Sequence, residues 1–389
     1  MSQTFLALTR NSADMAWLEA ALSPLGQVLN AGRGTLDELL ALVDVTSASL
    51  LFIGLDRENL TTQSALIEGA LEARPLLAVV ALGDGMDNHL VLNAMRAGAR
   101  DFIAYGARSS EVAGLARRLT KRLPQVQPVW QGERMTVLYT RQQGGDSAML
   151  AAHLALAMQA AGQRTLLLDL GLPAADTVAM LGLEATFHFG DALRNLRRLD
   201  ISLIDSAFCT HPQGLRLLAG MEEGETLGQA SAAEIYLLLG AFNLHFQHIV
   251  VNLAGQPDSE ALRIFMNRAS QVLWCCDQSV PDCRHNLALL GRWRESGMKL
   301  DHAQLLVDRY LSGVAPGADV LGETFGLPVF GVLPYCPEVR LNAKNLGRSL
   351  YEVAPRERIT RTLRQWGENL IGAEPSSLTG WFKRLGQRS

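Results

Sequence analysis

The feature that most constrains this chain is a repeated alternation of short, unbroken apolar runs with segments of helical periodicity. Phe5 to Leu8, Leu50 to Ile53 and Leu76 to Leu82 are uninterrupted apolar stretches, and a helix is expected over Ala16 to Leu25 between the first two. A strand that is apolar on both faces has to be covered on both faces, which is the condition of a parallel sheet layered between helices. The pattern continues with a helix over Asn88 to Ala97, a strand at Asp101 to Ile103 and a closing helix over Glu111 to Leu123. Residues 124–134 then interrupt it with two prolines, a glycine and polar side chains, the composition of a linker. Beyond the break the alternation resumes, with strands expected at Met135 to Tyr139, Arg164 to Leu168, Ile249 to Leu253, Gln271 to Cys275, Gln304 to Val307 and Val329 to Val332, and a helix over Ala148 to Ala160. The expected fold class is therefore α/β, with two doubly wound domains at 1–123 and 135–372. A polar break leads into a tail at 373–389.

A length of 389 residues suits two such domains. Apolar residues make up 48% and charged residues 19%, the composition of a folded chain, and the net charge of −4 gives no overall attraction to nucleic acid, which is not an expected partner. Five cysteines without CxxC spacing argue against a zinc site or a disulfide framework, and no metal is expected. His245 and His248 lie three apart with no third ligand in view and read as structural. With no basic-then-apolar opening and no window of 18 uninterrupted apolar residues, the expected location is the cytoplasm, peripheral to a membrane at most.

Between an expected strand and an Ala/Leu-rich helix lies Thr140 to Leu150, TRQQGGDSAML. A phosphate loop occupies such a place. It turns consecutive backbone N–H groups and a helix N-terminus toward an anion, uses glycines for close approach, a lysine for charge and a Ser or Thr hydroxyl for Mg²⁺. Here Gly144, Gly145 and Ser147 suit that role, but Asp146 stands where a lysine is needed. A carboxylate there converts attraction into repulsion of similar size, about 4 kcal/mol for unit charges about 4 Å apart at an effective dielectric near 20. Asp146 is expected instead to cap the following helix through backbone N–H groups.

The order of strand, TRQQGGDS, Ala-rich helix, RTLLLDLGLP, HIVVNLAGQ and the closing FGLPVFGVLPYCPEVRLNAKNLGRSLYEVAP resembles the MinD/ParA deviant-Walker ATPases. Within that group it is most similar to the TadZ/CpaE pilus-assembly proteins, which place a receiver-like domain ahead of the ATPase-like one. Against the pattern KGGxGK[ST], Arg141 replaces the signature lysine that reaches across a dimer, Gln142 and Gln143 replace glycines, and Asp146 replaces the central lysine. The resemblance makes Asp169 the surviving carboxylate of a switch pair whose second member is Gly171, puts Asn252 in place of the Walker B aspartate, and puts Asp308 where an adenine-contacting Asn would stand. With Asp146, Gly171 and Asn252 all altered, the expectation is a degenerate ATPase that is not an enzyme and needs no cofactor, ATP with Mg²⁺ being disfavoured.

In the first domain the segment AGARDFIAYGARSSEVAGLARRL resembles the last strand and helix of a receiver. Thr9-Arg10 replaces the acidic pair, Asp56 falls two residues late for a phosphoacceptor, and Tyr105 sits at the lysine position, so the receiver site is expected to be degenerate. In the tail, Trp381, Phe382, Lys383 and Arg384 form an amphipathic basic stretch expected to contact membrane or a partner. The resemblance implies a non-catalytic scaffold and localisation factor for a type IVb (Flp/Tad) pilus. Its expected partners are a second copy of the chain, the secretion ATPase and other Tad components, at a polar site on the inner membrane. The alternative is an ATP-dependent MinD-type dimerisation switch.

Overall fold

The computed structural model describes residues 3–32, 35–122, 134–144, 146–174, 176–220, 226–298 and 300–372, without the side chains of Arg122 and Arg197. The expected linker lies outside these residues except for Arg134, which opens a strand. The chain divides into two compact units, Met1–Gln131 with Ala232–Gly240, and Gly132–Ser231 with Ala241–Ser389.

The first unit carries β1 (Gln3–Leu8), α1 (Ser12–Leu22), β2 (Gly26–Asn30), α2 (Leu36–Thr46), β3 (Leu50–Gly54), α3 (Leu60–Ala73), β4 (Ala78–Gly83), α4 (Asn88–Arg96), β5 (Asp101–Ala104) and α5 (Ser109–Arg122). Its five strands lie in the order β2-β1-β3-β4-β5, and every pairing is parallel. Phe5, Ala7, Phe52, Val80 and Leu82 point into a core closed by Met15, Leu18 and Leu22 of α1 and by Val112, Leu115 and Ala116 of α5. β4 begins at Ala78, two residues after the expected start, α2 and α3 are absent from the sequence reading, and two further departures have a plain cause. α1 begins at Ser12, because Asn11 accepts the Asp14 N–H and so caps the helix four residues ahead of the expected start. β2 carries only one buried side chain, Leu29, so an edge strand of this kind leaves no apolar run to read.

The second unit carries β6 (Arg134–Tyr139), α6 (Ser147–Ala160), β7 (Thr165–Asp169), α7 (Asp176–Met180), α8 (Phe189–Arg194), α9 (Ile201–Ala207), β8 (Cys209–Thr210), β9 (Arg216–Leu218), α10 (Ala232–His245), β10 (His248–Asn252), α11 (Glu260–Arg268), β11 (Gln271–Cys276), α12 (Val280–Glu295), β12 (Ala303–Tyr310), α13 (Ala318–Phe325), β13 (Val329–Pro334), α14 (Pro337–Leu346), α15 (Leu350–Val353) and α16 (Arg358–Gly372); residues of α10 fall in both units. The sheet runs β13-β12-β11-β6-β10-β7-β9-β8 and is parallel apart from the terminal β8–β9 pair. β8 and β9 are too short to show a period in sequence.

One helix organises this sheet. From Ser147 to Met158 every residue of α6 is buried, which is how a helix apolar on all sides behaves when it lies at the centre of a domain. It packs between strand residues Leu138, Leu167, Val250 and Leu273 and the face of α16 formed by Leu363, Trp366 and Leu370. Gly367 allows the close approach of α16, since a Cβ there would sit 2.5 Å from Ala157 Cβ. β6, β10 and β7 are adjacent and in register, with Asn252 opposite both Leu138 and Asp169. Their C-terminal ends therefore open together onto the loop that precedes α6, the place where doubly wound sheets collect ligands.

Candidate functional site

The loop from Thr140 to Asp146 runs from the end of β6 to the start of α6. Gly144 takes φ +70 and its N–H donates to Leu172 O at 2.9 Å, so the turn closes on the segment that follows β7. Arg141 is exposed and its backbone N–H donates to Asn286 Oδ1 at 3.3 Å; Gln142 N–H donates to Thr140 Oγ1 at 3.4 Å. Gln143 packs against Gly255, where a Cβ would lie 2.6 Å from Gln143 Cγ. Ser147 is buried in the first turn of α6, and Gly145 lies outside the described residues.

Asp146 is at the N-cap position of α6, yet its side chain makes no capping bond, which corrects the expectation that it stabilises the helix through backbone donors. The carboxylate turns instead toward cations from distant elements. Oδ2 accepts from Arg340 Nη1 at 2.7 Å and from Arg309 Nε and Nη2 at 3.2 and 3.1 Å, while Oδ1 pairs with Lys344 Nζ. Arg340 is shared. Its Nη1 also donates to Asp308 Oδ2 at 2.8 Å and its Nη2 to Asp308 Oδ1 at 2.6 Å, so one guanidinium joins the two aspartates that the sequence reading singled out separately. Arg340 and Asp146 side chains are only 4% and 5% exposed, whereas Lys344 and Arg309 are 40% and 41% exposed.

The electrostatics follow from that geometry. Burial works to raise the pKa of Asp146, but Lys344 and Arg340 outweigh it and hold the carboxyl down at about 2. Burial likewise opposes the charge of Arg340, and the hydrogen bonds and proximity of Asp308 and Asp146 reverse it, raising its pKa. Sequence reasoning missed this cation set. A signal was present, because Arg340 and Lys344 are four apart on α14 and so share one face, but nothing in that spacing says which pocket the face addresses. Arg309 follows Asp308 in the place of the Asn-Arg of the family that the sequence resembles, but that placement does not say that its side chain turns to Asp146. Arg309 adopts φ +51 where β12 loses register with β13, and an irregularity of this kind re-aims a side chain.

The second group of candidates forms its own cluster beside the loop. Asn252 Nδ2 donates to Asp169 Oδ1 at 2.7 Å, and Asp169 also accepts from the N–H groups of Gly171 at 3.3 Å and Thr177 at 3.2 Å. Asp169 is fully buried and desolvation raises its pKa. The neutral amide at 252 is what makes this packing tolerable, since an aspartate there would set two carboxylates against each other. Gly171 completes the arrangement: a Cβ at that position would overlap Asn252 Nδ2.

In the first unit, Asp56 turns toward its own loop. It accepts from Asn59 N–H at 2.8 Å, Asn59 Nδ2 at 3.0 Å and Gln63 Nε2 at 2.9 Å. Burial pushes its pKa up, but these donors outweigh that and hold it below the ordinary value. The Arg10 guanidinium lies 4.0 Å above the Tyr105 ring, and burial pushes the Tyr105 phenol up to about 12. A cavity of about 330 Å³ beside them is lined by Arg10, Asp56, Arg57 and Asp84 among others, with Arg57 paired to Asp87 at 2.6 Å. Arg10 and Arg57 thus share this cavity with the carboxylates of Asp56, Asp84 and Asp87. His248 is buried in β10, and the anchor candidates Trp381, Phe382, Lys383 and Arg384 lie outside the described residues. No helix of the described residues is long and apolar enough to cross a membrane.

Comparison with known proteins follows the same division. Residues 1–132 match the family model described as pilus assembly protein TadZ N-terminal. The crystal structure of a CheY-like protein (tadZ) from Pseudomonas aeruginosa PAO1 is 59% identical, over 30% of this chain and 99% of that one, with a TM-score of 0.30; the identity over that whole chain carries the relation. A ParA family ATPase from Chlorobium tepidum TLS is similar at a TM-score of 0.55 and 18% identity, over 60% of this chain and 98% of that one. MinD in the MinC:MinD cell division protein complex of Aquifex aeolicus gives 0.50 and 16%, over 62% and 98%. At such identities the likeness is one of fold alone. A search of curated protein sequences returns no match. With a CheY-like unit followed by a MinD/ParA-like one, and with near-complete coverage of a TadZ structure at 59% identity, the chain belongs to the TadZ/CpaE-like pilus assembly family.

Proposed function

We propose that the protein is a non-catalytic scaffold and localisation factor for a Tad pilus, a docking platform for the secretion ATPase and other pilus components rather than an ATP-driven switch. The observation that carries this reading is the state of Asp146. The residue in the phosphate-loop lysine position is a buried carboxylate already paired with Arg340, Arg309 and Lys344. ATP entering the loop would have to bring a β-phosphate against that carboxylate and would find its counterions engaged. The carboxylate shell for Mg²⁺ is also incomplete, with Asn252 neutral and Gly171 lacking a side chain. In this reading the MinD/ParA-like unit supplies a homodimer face and a partner surface, the CheY-like unit directs polar placement, and the tail at 373–389 contributes a peripheral membrane contact. Isothermal titration of the full chain with ATP and Mg²⁺ tests it. No heat of binding is expected up to millimolar nucleotide, and micromolar affinity would establish the switch instead.

A further inference from the structure

An aspartate in a phosphate loop should leave that loop without a counterion, yet this protein delivers three cations to it from outside. Arg309 arrives from the irregular end of β12, while Arg340 and Lys344 arrive from one face of α14. Three formal positive charges face two carboxylates, Asp146 and Asp308, and Asp146 is the group that contacts all three. Guanidinium and ammonium donors converging on two oxygens of one planar anion are the donor set of an oxyanion site. The placement is not incidental to local geometry. Arg309 holds a positive φ, costly for a non-glycine residue, and Arg340 is buried with its Nε unpartnered. Asp146 meanwhile forgoes the capping bond open to it at the start of α6.

We propose that this cluster is an oxyanion site whose resident ligand is the protein's own Asp146 carboxylate, and that removing the carboxylate opens the site to a free tetrahedral oxyanion. The inference rests on reading the loop as closed to nucleotide, and it adds the mechanism of closure. A tethered anion is present at a constant effective concentration, so the loop, the end of β12 and α14 stay joined without any diffusible ligand. Loss of the tether leaves three cations and one carboxylate in a half-buried pocket, and an anion that binds only the folded chain then raises its apparent stability.

Thermal unfolding of the full chain, wild type and D146A, in inorganic phosphate against chloride of equal ionic strength, tests the proposal. D146A is expected to melt below wild type in chloride and to gain at least three times the wild-type increment in Tm from phosphate, and D146A/K344A is expected to lose most of that gain. Equal increments in wild type and D146A overturn the proposal, as does a gain that survives the K344A change. If D146A does not fold in either buffer, D146S, whose short side chain also vacates the place of the carboxylate while keeping a polar group at the helix N-cap, decides by the same comparison. A flat phosphate response leaves the nucleotide reading standing, because wild-type calorimetry with ATP alone decides that reading.

Discussion

Arg340 is the residue on which the candidate site turns. Among the described residues it is the one side chain bonded to both Asp146 and Asp308, and it is almost wholly enclosed. Two buried carboxylates stripped of their shared cation cost far more than the pair contributes, on the order of 3–5 kcal/mol when one partner is removed. Arg340→Met, which keeps the aliphatic stem, is therefore expected to lower unfolding stability by about that amount in urea titrations near neutral pH, while exposed Lys344→Met costs less than half as much. The sequence displayed Asp146, Gly171, Asn252 and Asp308 as isolated departures from a pattern. It could not display that Asp146 and Asp308 share Arg340, or that Gly171 makes room for Asn252, because those relations join residues 32 to 194 positions apart in the chain and depend on where α14 lands in the first case and on the pairing of β7 with β10 in the second.

At the scale of elements, α6 shows how a buried helix is tied to its surroundings. His153 accepts the Leu350 N–H at Nε2, 2.7 Å away, so its Nδ1 carries the proton and donates to Met149 O at 2.6 Å. The imidazole must be neutral to hold α15 in this way, and burial pushes its pKa down to about 4. Since the folded value lies below the unfolded one near 6.5, unfolding takes up a proton across that interval, and stability complete above pH 6.5 drains away as pH falls toward 4. His153 alone is expected to remove on the order of 2 kcal/mol between pH 7 and pH 4.5. His211 and His248, both lowered by burial, add in the same direction. Unfolding curves across this range should show the loss, and His153→Gln should flatten it. Much of the strand pattern was legible, because a run such as Leu50 to Ile53, bounded by polar segments, suits a strand covered on both faces; the run from Leu76 overshot, since Leu76 is 53% exposed and β4 begins at Ala78. β2, β8 and β9 were not legible, being an edge strand and two fragments whose pairing is set by neighbours rather than by their own composition.

For the whole molecule, both units share a parallel-sheet framework, and in each the candidate carboxylate is held in an internal pairing: Asp56 with Asn59 and Gln63 in one, Asp146 with its cations in the other. A protein that works through its surfaces should tolerate loss of a hydroxyl that would hold Mg²⁺ in a working site. Ser147→Ala, introduced on the chromosome, is expected to leave pilus number and the polar focus of a fluorescent fusion at wild-type levels, whereas deleting the gene should abolish both. Loss of pili in the Ser147→Ala strain would count against the scaffold reading.

Where β7 and β10 end, the fold leaves no room for a second carboxylate. A side chain at 171 would collide with Asn252, and an aspartate at 252 would face the buried carboxylate of Asp169 across the distance now spanned by a hydrogen bond. Position 171 is closed by shape and position 252 by charge, so this corner of the fold is locked twice, by two unlike forces.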